Sequence, residues 1–466
     1  VVDRGGMNSS TTLTPQALGD ALAAHGFVGR LVEPTDPDYD GARAGWNGAI
    51  DRRPAAVAYA SDADDVAAAI RATRAVGVPF TVRAGSHSVS GRSIRDGAVC
   101  IDIRALDSVD VDPARELVSV GGGALLGELD AATQEHGLAV PGGQISHTGV
   151  GGLTLGGGLG WLMRNHGLTI DSLRAAEVVL ADGRIVRASE DEQPELFWAL
   201  RGGGGDFGVV TRFEFRAHRV GPMVLAGMFV YPWARAGEAM RAARDLMQDA
   251  PDELGLFAVL LTAPPEPPFP PELQGRHVAV LSVAWSGDLD EGERVLAPLR
   301  ASAPALDLVG PMPYVALQSM LDATAPHGWR FYDRLHYLDE VGDELLDGLV
   351  EAFETVPTPQ THIITGWMGG AIDRVAPGAT AFGHRGTVAE TWLIGCSGDE
   401  PIGPVADWVR RVYDDIAPYA TGGTYVNALE AGRSVREAYA DEIWDRLVAA
   451  KRRYDPDGVF SGNGIG

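Results

Sequence analysis

Glycine is crowded into one part of this chain. Of 60 glycines in 466 residues, 24 fall between Thr81 and Val210, about 18% of that stretch, against about 10% between Ala217 and Ala420. Average usage is roughly 7%. A glycine inside a regular element costs roughly 0.5–1 kcal/mol, so clusters mark places where backbone turns tightly or lies close to something else. There are four such clusters: Gly85–Gly97, Gly121–Gly127, Gly142–Gly160 and Gly202–Gly208. Their spacing has no fixed period, which excludes a collagen-like or low-complexity chain.

The charge balance narrows the partners. With 38 basic and 63 acidic residues the net charge is −25, so neither a nucleic-acid backbone nor an anionic membrane surface is expected as a partner. No apolar run reaches the 18 or so residues of a membrane span. At 45% hydrophobic residues, a core for two or three domains is available. Two cysteines, Cys100 and Cys396, are too few for a disulfide framework or a zinc site, so no metal is expected. No basic-then-apolar leader is visible near the start. Lysine occurs once, at Lys451, and alanine, glycine and proline are abundant. That bias reads as a high-GC bacterial coding sequence, with a cytoplasmic location expected.

Short strands alternate with helices in the glycine-rich part. Val66, Ala69, Ile70, Thr73 and Val76 follow helical spacing, with Ser61 and Asp62 as caps and Gly77 as stop. A strand Pro79–Arg83 then enters the loop from Ala84 to Gly91. The unit recurs as helix Leu125–His136, apolar Leu138–Val140 and a loop from Pro141, and a third helix covers Glu192–Leu200 before β-rich Val209–Phe215. Beyond Arg216–Val220 the pattern shifts. Longer strands are expected at Val224–Tyr231, Phe257–Thr262, Val278–Trp285, His362–Met368 and Val388–Gly395. Helices are expected at Ala234–Met247 and Glu340–Phe353, and the proline-rich Pro264–Pro271 forms a loop. This predicts an α+β region whose sheet is covered on one face. A final helix is expected over Val435–Arg453.

Successive N–H groups in glycine loops make anion-binding concavities, a way for an acidic chain to hold a pyrophosphate. Two nucleotide readings compete. Gly121–Gly127 and Gly149–Gly156 approximate a dinucleotide fingerprint, but neither has clean G-x-G-x-x-G spacing or the acidic residue about 20 positions on. The alternative is an extended, loop-built flavin site that uses all four clusters.

The stretch Arg83-Ala-Gly-Ser-His-Ser-Val-Ser-Gly91 resembles the R-x-G-G-H-S-x-x-G loop of the vanillyl-alcohol-oxidase flavoprotein superfamily, with its PCMH-type FAD-binding fold. More narrowly, the chain resembles the berberine-bridge-enzyme-like FAD-linked oxidases. The long block Ser146–Trp161, the block Leu196–Thr211, Tyr425-Val-Asn427 and Lys451–Phe460 are similar to that family's signatures, in order, from about Trp46 to Asn463.

The resemblance implies FAD as cofactor. Within the first loop Arg83, Ala84, Gly85, Ser86, His87, Ser88 and Gly91 would contact it, and His87 is where the family links the flavin covalently. Neutral imidazole is a nucleophile near pH 7. His147 is the alternative attachment residue. Ser86 stands where the family has a second glycine, and a serine there with φ above zero would be strained. The family's second, cysteinyl link would fall on Ile145, so a single link is expected. Further cofactor contacts are implied at Thr148, Gly149, Gly152, Gly157, Asp206, Gly208, Val209, Val210, Asn427 and Asn463. Thr148 occupies the position that controls oxygen access. Asp206 replaces a common asparagine and is expected to face the N–H groups of Gly202–Gly205, with a general-base role as the alternative. Tyr425 is the first choice for catalytic base, or else a tyrosine bonded to flavin or merely packed. Weaker candidates are Trp367, Glu390, Trp392, His336 and His384, with Glu390 and Trp392 on one strand face. Ala428 and Ile465 depart from the family pattern.

Together these imply two domains: FAD binding from residues 1–216 (core about 50–216) and 421–466, and substrate binding from 217–420 under an antiparallel sheet covered by helices. The activity implied is oxidation of a C–H beside oxygen or nitrogen in a small molecule, a secondary metabolite, amine or sugar alcohol, with molecular oxygen as second substrate. A dehydrogenase with another acceptor, or a flavin binder without turnover, are the alternatives.

Overall fold

The computed structural model describes residues 15–430, 432–462, 464 and 465. The helix expected after Asp62 runs Ala63–Ala75, and the Asp62 carboxylate caps it by accepting from the Asp65 N–H. Its buried face covers a four-stranded sheet in the order Arg30–Val32, Ala56–Tyr59, Val99–Asp102, Phe80–Arg83. The last three strands run parallel, with Phe80 opposite Val99 and Arg83 opposite Asp102. A second sheet is antiparallel, ordered Val109–Asp112, Leu117–Gly121, Val209–Arg216, Leu173–Val179, Ile185–Ser189.

In the third large sheet Leu306–Asp307 and Gly310–Pro313 pair with Met223–Pro232. Its main path continues His277–Trp285, Leu254–Thr262, His362–Trp367, Ala389–Cys396 and Phe331–Leu338, all antiparallel. Four amphipathic helices, Ala236–Gln248, Leu289–Ala301, Asp343–Phe353 and Gly403–Ile416, bury their apolar stripes on one face. Period-two alternation sends Leu256, Ala258 and Leu260 to the helices and Phe257, Val259 and Leu261 to the other face. This is the α+β arrangement expected, with a helix-covered antiparallel sheet.

Two expectations change in detail. Phe331–Leu338 is an edge strand of the main path that the hydrophobic pattern does not reveal. Asp333, Arg334 and His336 interrupt it, yet each has a place: Arg334 lies over the Tyr413 ring, His336 stacks on Tyr413, and Asp333 faces the opposite side. The final helix spans Asp441–Tyr454 and not Val435–Arg453. Residues 435–438 form a separate 3₁₀ turn, and Tyr439 is extended because its hydroxyl reaches in to donate to Gly202 O at 3.0 Å.

The two longest glycine-rich loops cross at Gly85 and Gly149. A Cβ on Gly85 would sit 2.4 Å from the Gly149 Cα, and a Cβ on Gly149 would sit 2.5 Å from the Gly85 N. Neither atom has room, and both obstacles are backbone. We expect Gly85→Ala to destabilise the fold by about 3 kcal/mol through overpacking, read as a lowered urea midpoint at unchanged slope. Gly152→Ala, whose Cβ would meet nothing within 4 Å, should leave the midpoint where it is.

Candidate active site

Between the glycine loops and the uncovered sheet face lies a cavity of about 1380 Å³. Ordinary small-molecule sites hold about 300–1,000 Å³, so this one has room for a dinucleotide and a second molecule. One wall is backbone-rich: Ala84–Ser88, Thr148, Gly149, Gly151, Gly152, Gly204, Gly205 and Asp206. Gly152 and Gly205 face open space where a side chain would intrude.

His87 stands in that wall. Its ring stacks on Trp46 at 4.0 Å, and Trp46 stacks on Phe331 at 4.2 Å. Burial, then the imidazoles of His147 and His327, hold His87 down to about 3. The ring is therefore neutral across the physiological range. Ser86 keeps the left-handed backbone at φ 61°, which costs a side-chain-bearing residue roughly 1–2 kcal/mol. The loop is pinned from the far side by a segment that joins the large sheet. Ser146 N–H donates to Asp322 Oδ1 at 2.8 Å, the Trp46 indole to Ala325 O at 2.7 Å, and Phe331 N–H to Asn47 Oδ1 at 3.0 Å.

The sheet face forms the opposite wall in three rungs set by register. The first holds Tyr337, Glu390, Gly366, Phe257 and Ser282. The second holds Leu335, Trp392, Ile364, Val259 and Val280, and the third Asp333, Ile394, His362 and Leu261. Glu390 is buried, and burial pushes its carboxyl up to about 8. Gly366 makes space for it: a Cβ there would come 3.0 Å from Glu390 Oε1.

Tyr425 arrives from the C-terminal return. Its hydroxyl oxygen accepts from Gly158 N–H at 3.0 Å and from the Asn427 amide at 3.0 Å, and its ring meets Trp392 edge-on at 6.0 Å. Burial pushes it up to about 12, against the pull of those two donors.

Several polar atoms on these walls are buried without a protein partner: Ser86 Oγ, His87 Nε2, Gln144 Nε2, Glu390 Oε2, Asp333 Oδ1 and Trp392 Nε1. Buried polar groups are normally paired. A flavin dinucleotide and a substrate fit both the space and these unpaired groups.

A family model for an FAD binding domain matches residues 54–189. An FAD-linked oxidoreductase of Dictyostelium discoideum is 30% identical over 90% of this chain and 90% of its own length. The chain belongs to the FAD-linked oxidoreductases. It is also 28% identical to (R)-6-hydroxynicotine oxidase of Paenarthrobacter nicotinovorans, over 93% of this chain and 96% of that one. In fold it resembles a berberine-bridge-enzyme-like protein of Physcomitrella patens, with a TM-score of 0.86 and 24% identity over 96% of this chain and 99% of that one.

Most residues singled out in this oxidoreductase's sequence meet at the cavity: Ala84, Gly85, Ser86, His87, Ser88, Thr148, Gly149, Gly152, Asp206, Gly208, Val209, Val210, Tyr425 and Asn427. Three stand off its wall. Arg83 is fully buried against Asp102, its Nε donating at 2.9 Å. Gly91 packs on Ile50, and Gly157 on Phe382 and Tyr425. Asn463 lies outside the described residues. Asp206, expected at the Gly202–Gly205 nest, reaches the C-terminal return: its Oδ2 accepts from Ile465 N–H at 2.9 Å. Of the weaker candidates, Glu390 and Trp392 face the cavity. Trp367 points to the helices, His336 bonds Tyr413 O at 2.9 Å, and His384 stacks on Tyr337 at 4.2 Å. Ile145 lines the wall, while Cys100 and Cys396 are buried elsewhere.

Three residues escaped the sequence reading. Asp333 sits on the strand that the hydrophobic pattern hides. Arg92 faces the cavity near Asp206, so backbone N–H groups do not carry an anion alone. Lys451 is a buried clamp, donating to Asp206 O at 2.9 Å, Asp455 Oδ2 at 2.6 Å and Phe460 O. Two signals pointed to it: it is the sole lysine, and it opens the Lys451–Phe460 signature.

The Glu390 carboxyl has a stability consequence. Unfolded, it ionises near about 4.3; folded, near about 8. Between those values the native state holds more protons, so its stability falls as pH rises. Flavin-free Glu390→Gln should melt higher than wild type at pH 9 and alike at pH 5, by calorimetry.

Proposed function

We propose that this oxidoreductase is an oxidase carrying FAD on a single bond to His87. It takes hydride from a C–H beside oxygen or nitrogen of a small molecule and uses molecular oxygen as acceptor. Bound in the cavity, FAD supplies the two-electron acceptor for that hydride, and its reoxidation by oxygen yields hydrogen peroxide.

The observation that carries the reading is that Tyr425 and Glu390 line the same cavity, near enough for the carboxyl's charge to act on the phenol. Gly158 N–H and the Asn427 amide both donate to the Tyr425 oxygen. They leave its proton for another acceptor and would hold the oxygen if that proton left. With Tyr425 up to about 12 and Glu390 near about 8, the carboxylate is the stronger candidate for final proton acceptor. The substrate O–H or N–H proton passes to Glu390, directly or through Tyr425, as the neighbouring C–H gives up hydride. A general base of this kind contributes about 10²–10⁴-fold.

His87 serves attachment. Its neutral ring has a free electron pair at a buried nitrogen with no protein partner. The stacked Trp46 fixes its plane. That Paenarthrobacter relative is named for oxidation of a hydroxynicotine, which supports an amine as one of the substrate types to try.

Two measurements test this. Acid-precipitated wild-type protein should give a yellow pellet and His87→Ala a colourless one; a colourless wild-type pellet sinks the covalent link. On a panel of amines, sugar alcohols and hydroxylated metabolites, oxygen uptake should match peroxide formed. For the substrate found, kcat/KM should rise with pH through about 8, and Glu390→Gln should lose about 10²-fold or more and that pH limb.

A further inference from the structure

The third rung of the sheet wall has no role in the proton transfer just described. Asp333 lies there, buried, with Oδ1 unpaired and the Trp392 indole N–H beside its carboxyl. It is four residues along its strand from Tyr337, the partner of Glu390, so it stands about 13 Å from the reacting end at roughly 3.3 Å per residue. Between the two lie Trp392, Ile364 and Val259. The same rung carries His362, which burial holds below its ordinary value and whose Nδ1 lies 3.0 Å from Gln360 O. No lysine or arginine lies among the described residues that this sheet contributes to the cavity. The cavity's arginines, Arg52, Arg92, Arg95 and Arg433, come from the flavin-loop side and the C-terminal return. The loop Pro264–Pro268 adds another carboxylate, Glu266.

Burying a carboxyl without a cationic partner is costly. The cost is offset where a cation docks against it, and truncating one member of such a pair is expensive because the other is left alone. We propose that Asp333 is the substrate-anchoring residue of this cavity, taking a protonated amine at the end of the substrate remote from the Glu390–Tyr425 pair. This rests on the oxidase reading of the same cavity and adds a substrate class to it: an elongated molecule with a cationic nitrogen at one end, an apolar or aromatic middle over Trp392, and the oxidised carbon at the other. Asp333 touches no reacting atom in this arrangement, so it governs binding and orientation and not the proton transfer.

The test uses the holoprotein under anaerobic conditions and two isosteric probes, 4-phenylbutylamine and 4-phenylbutan-1-ol, titrated against the flavin absorbance. Wild type should bind the amine at least tenfold more tightly than the alcohol. Asp333→Asn should erase that preference by weakening the amine alone, Asp333→Glu should keep it, and Glu390→Gln should leave it in place. Equal binding of the two probes by wild type overturns the proposal, as does a preference that survives Asp333→Asn or vanishes only in Glu390→Gln. If Asp333→Asn fails to fold, the wild-type ratio and the Glu390→Gln control still decide. Protein without flavin absorbance counts against the oxidase reading alone; the probe preference is then read from tryptophan fluorescence, with the same outcomes.

Discussion

Where residues 84–88 pass residues 148–152, two chains touch at glycine against glycine, with no space for a single added carbon. The rest of the site depends on that contact. It sets the depth of both loops, and therefore the plane on which His87, Thr148 and Gly152 present themselves to the cavity. The cluster at Gly121–Gly123 does the same one layer back. A Cβ on Gly123 would sit 2.0 Å from Ile103 O. Much of the glycine excess thus serves backbone packed on backbone, and only a few positions, Gly152 and Gly205 among them, leave open space for a ligand. Close-packed loops resist adjustment as cores do, which suits a wall that must hold a large planar cofactor.

The opposite wall obeys a different rule. One face of the large sheet is sealed by helices and is mostly apolar, with Arg334 and His336 of the edge strand held against Tyr413. The other mixes Phe257, Val259 and Ile364 with Glu390 and Asp333. The same strands supply both, so a residue's face decides how a charge is met: Arg334 on the helix side is ion-paired with Glu430, whereas Glu390 and Asp333 face the cavity. Buried carboxyls shifted to about 8 weaken the fold at alkaline pH. A structure carries such groups at a cost, and perturbed titrating groups gathered in a cleft mark a site of chemistry. Both carboxyls line one cavity, on the first and third rungs of its sheet wall, which is hard to attribute to packing.

Much of this was legible in the amino-acid sequence, for definable reasons. Glycine loops announce themselves by composition, and the ordered signatures around His87, Gly149, Asp206 and Tyr425 identified the family. Continuously apolar strands were visible too: Phe257–Thr262 was expected where Leu254–Thr262 forms. Phe331–Leu338 was not, because its polar residues are each satisfied by something distant in sequence: Tyr413 for His336 and Arg334, the cavity for Asp333. A pattern that depends on partners cannot be read from one strand. The Val435–Arg453 helix was overextended for a similar reason, since Tyr439 gives up helical geometry for a bond to Gly202. His336 and Trp367 looked like site residues by type alone; their strand face removes them.

Ser86 shows how far a departure from a family pattern can be absorbed. The backbone keeps the left-handed conformation that glycine would adopt freely, and the serine bears its cost. The loop can impose this because its neighbours are fixed on both sides. Trp46 N–H bonds Ser86 O at 3.2 Å, and Gly85 has no freedom against Gly149. The Ser86 hydroxyl is meanwhile buried on the cavity wall without a protein partner. Strain held by the scaffold and an unpaired hydroxyl meet on the cavity wall, so nothing the side chain touches within the protein offsets the cost of its backbone.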